Sequence, residues 1–472
     1  MTKERIVVAG ATGFIGKQLL QSHPNTHDWI ALSRRARPED SNSSVEWRAC
    51  DLFSMLDAEK GVEGAKYGIY LVHSMMPSAR LTQGDFADLD LIAADNFARA
   101  AAKAGLEQII FIGGIVPQDC QDDPSRLSSH LLSRFEVEKT LGAYGVPVTT
   151  LRAGLILGAE GSSFQMLKRL VKRLPMMICP SWTNTRSHPI AVNDVVALLL
   201  YCLGNSSTYG EAYEIGGEDE VSYRELIQET AKLLGLHRRV LGVPFVTPAL
   251  SRLWVSLVTG APKELVSPLI QSLHHDMRVH DRRLQQQANL PITPLRKALE
   301  DSLSPNLQKS VQPVAYLKPV KRSTVSEVRS VQRMPLPIPH DAQFVAKEYM
   351  RWLPRLLPWF LRVDIDEDSI CHFRVRWLPI VLLKLQFSPE RSQPDRQLFY
   401  IRGGVLAHEQ GRGRLEFREV LSGKNIVAAI HEYRPTLPWY IYRLTQALVH
   451  LWVMRRFGNR LEDLKLQPYQ GA

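Results

Sequence analysis

Three stretches carry residue types at spacings that can do chemistry. The first is Ala9 to Gly16, Ala-Gly-Ala-Thr-Gly-Phe-Ile-Gly, which follows the β-branched run Ile6-Val7-Val8 and leads into a helical pattern. Gly10 permits a tight turn out of a strand, Gly13 lets backbone N–H groups approach a pyrophosphate, and Gly16 lets the helix pack closely, with Thr12, Phe14 and Ile15 completing the turn. The glycine spacing is three and three rather than two and three. The second stretch, Ser33-Arg34-Arg35, closes a strand-like run, Trp29 to Leu32. An acid there would accept a free ribose 2′-hydroxyl, whereas a serine and two arginines offer donors that suit a 2′-phosphate, so the expected cofactor is NADP, with NAD as the alternative. The third, His274, His275, Asp276 and His280, invites a metal reading, but the spacing matches no ligand set on one helical face, and no metal is expected.

Positioning the first two stretches requires a sheet. Val45 to Cys50, Tyr67 to Val72, Gln108 to Ile112 and Val148 to Leu151 read as further strands, separated by helical patterns such as Asp88 to Gly105 and Leu127 to Leu141. That alternation predicts an α/β fold with a Rossmann-type doubly wound parallel sheet. Ligands of such sheets lie beyond the carboxyl ends of the strands, where Gly10, Ser33, Asp51-Leu52 (beside the adenine), His73, Gly113 and Gly154 all fall.

A chain of 472 residues exceeds one ordinary core. Its 45% hydrophobic and 22% charged residues are those of a globular protein. The first residues run directly into a strand and the longest apolar runs are short, so the expected location is cytoplasmic. Five scattered cysteines predict reduced thiols. A net charge of +10 is compatible with anionic ligands, but no block of five like charges or nucleic-acid motif is present, and nucleic-acid binding is not expected.

The glycine turn, Asp51-Leu52, Arg152-Ala153-Gly154 and Ser187 to Val195 together resemble the short-chain dehydrogenase/reductase superfamily, in its atypical, extended branch. Tyr70 to Met75, Leu131 to Glu138 and Val328 to Arg333 are similar to bacterial proteins of the YbjT type, which join a nucleotide-binding half to a C-terminal domain of unknown function. The resemblance implies a Tyr followed four residues later by a Lys, and neither is present: His130 stands at the Tyr position and Arg134 at the Lys position. His130 is therefore the candidate replacement acid and Arg134 the candidate holder of the ribose or a phosphate. Helices at Ser222 to Leu234 and Pro248 to Ser256 would form a lid over the substrate, and Asp194 would cap a helix from Val195.

From Ser304 the composition shifts, and the domains are placed at 1–308 and 312–466. The second begins with a strand, Val325 to Met334, and helices in Asp341 to Leu361 broken by Pro354 and Pro358. An antiparallel run follows, with Phe373, Val375 and Trp377 on one face, and then a long helix, Trp439 to Leu464, with Tyr440, Leu444, Ala447, Leu451, Met454, Gly458 and Leu461 along one face. This order is similar to an α+β helix-grip (SRPBCC/START-like) domain, which implies an apolar cavity for a hydrophobic small molecule. Tyr349 to Leu361, with Arg351, Arg355 and Arg362, has an alternative reading as a peripheral membrane contact, against which its prolines favour a packed helical cap. The functional expectation is an NADP(H)-binding oxidoreductase or isomerase acting on a small hydrophobic substrate. The alternative is a non-enzymatic NADPH-dependent sensor or assembly factor. The sequence assigns no oligomeric state.

Overall fold

The computed structural model describes residues 3–35, 45–73, 81–120, 122–243, 260, 266, 270–304, 327–409 and 412–466. The chain forms two compact units, residues 1–76 with 90–320, and residues 77–89 with 321–472. The expected lid helix at 248–256 and the boundary between 308 and 312 lie outside the described residues.

In chain order the first unit contains β1 (Arg5–Ala9), α1 (Phe14–Ser22), β2 (Asp28–Ser33), β3 (Val45–Ala49), α2 (Met55–Val62) and β4 (Tyr67–Tyr70). After β5 (Leu81–Gln83), which belongs to the other unit, come α3 (Phe86–Ala104), β6 (Gln108–Gly114), α4 (Ser129–Leu141), β7 (Val148–Ala153), α5 (Ser162–Arg173), α6 (Val192–Cys202), β8 (Ala212–Ile215) and α7 (Tyr223–Leu233). Seven strands form one parallel sheet in the order β8-β7-β6-β4-β1-β2-β3, with Val8 opposite Ala31 on one side and Ile69 on the other. Ile6, Val7 and Val8 are fully buried, as a central strand covered on both faces requires. The strand order reverses between β1 and β4, so their carboxyl ends open a crevice between them. Helix α7 begins with a capping box in which Ser222 and Glu225 satisfy each other's backbone N–H groups. Asp194 is no cap: α6 starts at Val192, and the Asp194 carboxylate accepts from the Thr293 N–H and Oγ1, both at 2.8 Å.

The second unit contains β5, β9 (Val328–Pro335), α8 (Ala342–Leu356), a six-strand meander, and a helical end. The meander is β10 (Leu361–Ile365), β11 (Ile370–Val375), β12 (Val381–Phe387), β13 (Arg396–Ile401), β14 (Arg414–Val420) and β15 (Asn425–Tyr433), and the end is α9 (Trp439–Leu444) with α10 (Gln446–Leu466). The sheet order is β10-β11-β12-β13-β14-β15-β9-β5, antiparallel throughout except that β5 runs parallel to β9. Residues 77–89, placed with the first domain by the sequence, thus supply an edge strand here. Gly84, at φ +153°, lies so close to β9 that a Cβ would sit 2.5 Å from the Val331 carbonyl oxygen. Asp88 accepts from Arg333 Nε at 2.7 Å.

Three local expectations change. Pro354 stays inside α8, which runs on to Leu356, so it does not break the helix where the sequence suggests. In β11 the buried residues are Cys371, Phe373 and Val375, while Trp377 lies past the strand and is exposed. The terminal helix breaks at Thr445, so Tyr440 and Leu444 are exposed, and the inward face of α10 is Ala447, Val453, Met454, Phe457 and Leu461. Phe457 meets Tyr349 of α8 edge-on at 5.0 Å, holding α8 and α10 together. No helix among the described residues is long and apolar enough to cross a membrane. All five cysteines are buried and unpaired.

Candidate functional site

At the crevice the chain turns sharply. Gly10 has φ +87°, and a Cβ on it would lie 2.8 Å from the Leu71 carbonyl carbon, so only glycine fits. A Cβ on Gly13 would stand 3.1 Å from the Gly10 carbonyl oxygen, and one on Gly16 2.5 Å from the same atom. Gly13 is the N-cap of α1 and supplies no side-chain acceptor, which leaves the first-turn N–H groups of α1 for an anion. This cradle fits the pyrophosphate of a dinucleotide.

Beside it lies a cavity of about 350 Å³. Of the residues expected in the site, Gly10, Gly13, Phe14, Ile15, His73, Gly113, Gly154, His130 and Arg134 line it. Thr12, Gly16, Ser33, Arg34, Arg35, Asp51 and Leu52 are not in its lining. Arg34 and Arg35 are exposed just past the carboxyl end of β2. The Asp51 carboxylate accepts from the Phe53 N–H at 3.2 Å, within its own turn.

Two side chains read separately in the sequence meet here. His130 on α4 and His73 after β4 face each other, Nε2 to Nε2, at 3.1 Å. His73 Nδ1 lies 2.6 Å from the buried Asp90 carboxylate on α3, and His130 Nδ1 lies 3.1 Å from Ser272 Oγ, itself 3.1 Å from Ser128 Oγ. Burial, reinforced by His73 and Arg134, lowers the His130 pKa to about 3. Neutral His130 holds a single ring proton, and partner chemistry places it. With His73 neutral and its Nδ1–H donated to Asp90, His73 Nε2 is an acceptor, so His130 Nε2–H donates and His130 Nδ1 accepts from Ser272. With His73 protonated, its Nδ1–H still donates to Asp90, while the His73–His130 and His130–Ser272 bonds reverse direction. A lowered pKa disfavours the imidazolium form that an acid at His130 would need, and the His73–His130–Ser272 contacts link that ring to further proton-bearing groups.

Arg134 also departs from expectation. Its guanidinium donates to the Ile112 carbonyl at 2.6 Å and the Val72 carbonyl at 3.1 Å, and lies over the Phe111 ring. It ties the ends of β4 and β6 together. The remaining wall is apolar, with Met166, Leu170, Leu226 and Met277, and it includes the Trp182 indole, whose Nε1 is buried without a hydrogen-bond partner among the described residues. Asp90, Ser272 and Trp182 carried no signal in the sequence. His274, Asp276 and His280 are exposed and spread apart in role, Asp276 accepting from the Arg186 N–H. Among the described residues no group of three or more His, Cys, Asp or Glu is arranged around a metal position.

Residues 6–216 match the model of the NAD dependent epimerase/dehydratase family. The matched stretch begins in β1, carries the glycine turn and ends just past β8. The chain is 32% identical over 149 residues to the auxiliary protein GraX of Staphylococcus aureus, covering 31% of this chain and 43% of that protein's length. It is 22% identical over 257 residues to a UDP-glucose 4-epimerase of Vibrio cholerae, covering 51% of this chain and 78% of the relative. Among solved structures, the Bordetella bronchiseptica enzyme WbmG in complex with NAD aligns with 95% of its length onto 66% of this chain, at 13% identity and TM-score 0.50, a likeness of fold.

Proposed function

We propose that the chain is an NADP(H)-dependent oxidoreductase or isomerase acting on a small hydrophobic substrate in the cavity of the first unit. The observation that carries this reading is that the glycine cradle and the His73–His130 pair line the same cavity. The first-turn N–H groups of α1 would hold the pyrophosphate, and Ser33, Arg34 and Arg35 the 2′-phosphate. Bound there, the nucleotide would supply hydride-transfer chemistry. The chain's own residues handle the proton. Asp90 fixes the tautomer of His73, and His73 sets the direction of the bond to His130. Ser272 then either accepts a proton from the substrate or presents its hydroxyl hydrogen to it. Trp182 Nε1 would donate to an acceptor at the apolar end of the substrate. WbmG, solved with NAD, supports a nicotinamide dinucleotide in this fold.

Steady-state NADPH oxidation across a panel of hydrophobic carbonyl compounds and quinones, with His130→Ala beside the parent, tests this reading. Turnover that falls about 10²–10⁴-fold in His130→Ala at unchanged NADPH affinity is expected. Turnover indifferent to His130 refutes the assignment. One observation favours a second reading: Arg134 donates to two backbone carbonyls, a structural duty, which suits a non-enzymatic NADPH-dependent sensor. That reading predicts nucleotide binding with no turnover on any substrate. For the second unit we propose a helix-grip architecture, supported by its order of strand, helix, six-strand meander and terminal helix.

A further inference from the structure

The meander of the second unit has two ends that differ in chemistry. Every second connection of a meander falls on the same side, so one end gathers the chain entering β10, the β11–β12 turn, the β13–β14 loop and the β15–α9 link. Hydrogen bonds tie these segments together. The Arg376 N–H donates to the Phe360 carbonyl at 2.9 Å, the Val405 N–H to the Val381 carbonyl at 3.0 Å, and the His408 N–H to the Arg434 carbonyl at 3.1 Å.

Large apolar side chains stand out from this end into solvent. Trp359, 64% exposed, stacks on Trp377, 56% exposed, with ring centroids 6.2 Å apart, and Leu378 and Val405 are exposed on the neighbouring connections. The helix break at Thr445 leaves Tyr440, 76% exposed, and Leu444, 65% exposed, facing water, and Leu448 and Val449 continue the patch on α10. A surface of this kind, built from several connections at once, marks a contact site rather than scattered exposure.

The charges decide what it contacts. Among the described residues of these connections, Arg376, Arg402, Arg412 and Arg443 are exposed against one exposed acid, Glu409. The Glu327 and Glu432 carboxylates are taken by Arg434 and Arg414, each at 2.7 Å. The opposite end carries the exposed acids Asp366, Glu367 and Asp368 between β10 and β11. A second copy docked about a two-fold axis would set arginine against arginine. An anionic lipid surface answers both features, because Trp and Tyr rings settle at the boundary between water and hydrocarbon and arginines pair with lipid phosphates. The stretch that suggested membrane contact in the sequence, Tyr349 to Leu361, supplies only its last residues, since Tyr349 and Leu353 are buried in α8.

We propose that the second unit docks by this end onto a bilayer containing anionic lipid, with Trp359, Trp377, Tyr440 and Leu444 entering the headgroup region and Arg376 and Arg443 meeting lipid phosphates. No residue of the first unit is needed, so the proposal stands apart from the nucleotide reading.

Co-sedimentation of the full chain with phosphatidylcholine vesicles, with and without about 30% phosphatidylglycerol, tests the proposal. Binding to the anionic vesicles is expected to be at least about tenfold tighter than to the neutral ones and to weaken with added salt. Arg376→Gln/Arg443→Gln should weaken anionic binding about tenfold or more and leave neutral binding as it was. Trp377→Ser/Leu444→Ser, which removes two exposed side chains, should weaken binding to both compositions about tenfold or more. Thermal melts establish that the variants are folded, and the two-vesicle comparison on the parent chain stands without them. No binding to the anionic vesicles, equal binding to both compositions, or binding that survives both double variants would overturn the proposal. So would self-association in analytical ultracentrifugation that Trp377→Ser/Leu444→Ser abolishes, which would assign this end to a second copy.

Discussion

The two units each enclose a cavity with mostly aliphatic walls, about 350 Å³ in the first and about 230 Å³ in the second, yet their polar minorities differ in kind. In the first, two imidazoles are backed by a buried carboxylate and stand beside a glycine turn that presents backbone N–H groups. Such groups change protonation state and hold anions. In the second, no Lys, Arg, Asp or Glu among the described residues lines the wall, and arginines stand outside it, at the exposed apolar end of the sheet. The first unit thus encloses its proton-bearing groups, while the second displays charge on a surface.

The comparison can be broken most forcefully at β5. Gly84→Val places side-chain atoms on the Val331 carbonyl and should strip β5 from β9. A loss of several kcal/mol, on the order of ~3–5, is expected in the unfolding of the second unit, by denaturant melts followed with tryptophan emission. For the same reason a fragment starting near residue 312 lacks β5 and Gln83. It should be less stable than one in which residues 77–89 are restored by a linker.

Next in size, Asp90→Asn replaces the acceptor-only carboxylate facing His73 Nδ1 with an amide that can also donate, so the His73 tautomer is no longer fixed. A drop in turnover of about 10²-fold or more is expected. Because Asp90 acts through His73, the pH–rate profile should change as well, an effect that a packing defect would not produce. Replacing Arg34 and Arg35 by Ala should cost NADPH roughly 1.5–3 kcal/mol per lost charge-assisted bond and leave NADH affinity nearly unchanged, by parallel titrations.

A smaller effect separates the units by acid. His431, fully buried in the second, has its pKa lowered to about 4, chiefly by burial. Below pH 6.5 the unfolded chain binds a proton that the folded one refuses, so this stability falls as pH drops from about 6.5 toward 4 and is complete above that window. His431→Gln should flatten the pH dependence of the second unit's melting by about 1–3 kcal/mol over that range.

Legibility in the sequence followed the range of the signal. The glycine turn was readable because its conformational demands are local, and the parallel sheet because Ile6 to Val8 and its counterparts are continuous apolar runs. His73 and His130 were each noticed, but their meeting depends on α4 packing at the end of β6, next to β4 in the sheet. Asp90, Ser272 and Trp182 sit in ordinary helix and loop contexts. A three-residue strand such as β5 is too short to show periodicity, so its place in the second unit was invisible. The break at Thr445 was missed because an apolar stripe continues through it, although its first members, Tyr440 and Leu444, face solvent.

Whether the glycine turn and the imidazole pair serve one nicotinamide ligand is tested most directly by titrating NADPH, followed by its reduced-nicotinamide emission, into the parent chain, Gly13→Val and His130→Ala. The expected result is saturable binding to the parent, at least about 100-fold weaker binding to Gly13→Val, and unchanged affinity with an altered emission in His130→Ala, whose ring lies beside the same cavity. Binding to Gly13→Val as tight as to the parent would contradict the nucleotide site.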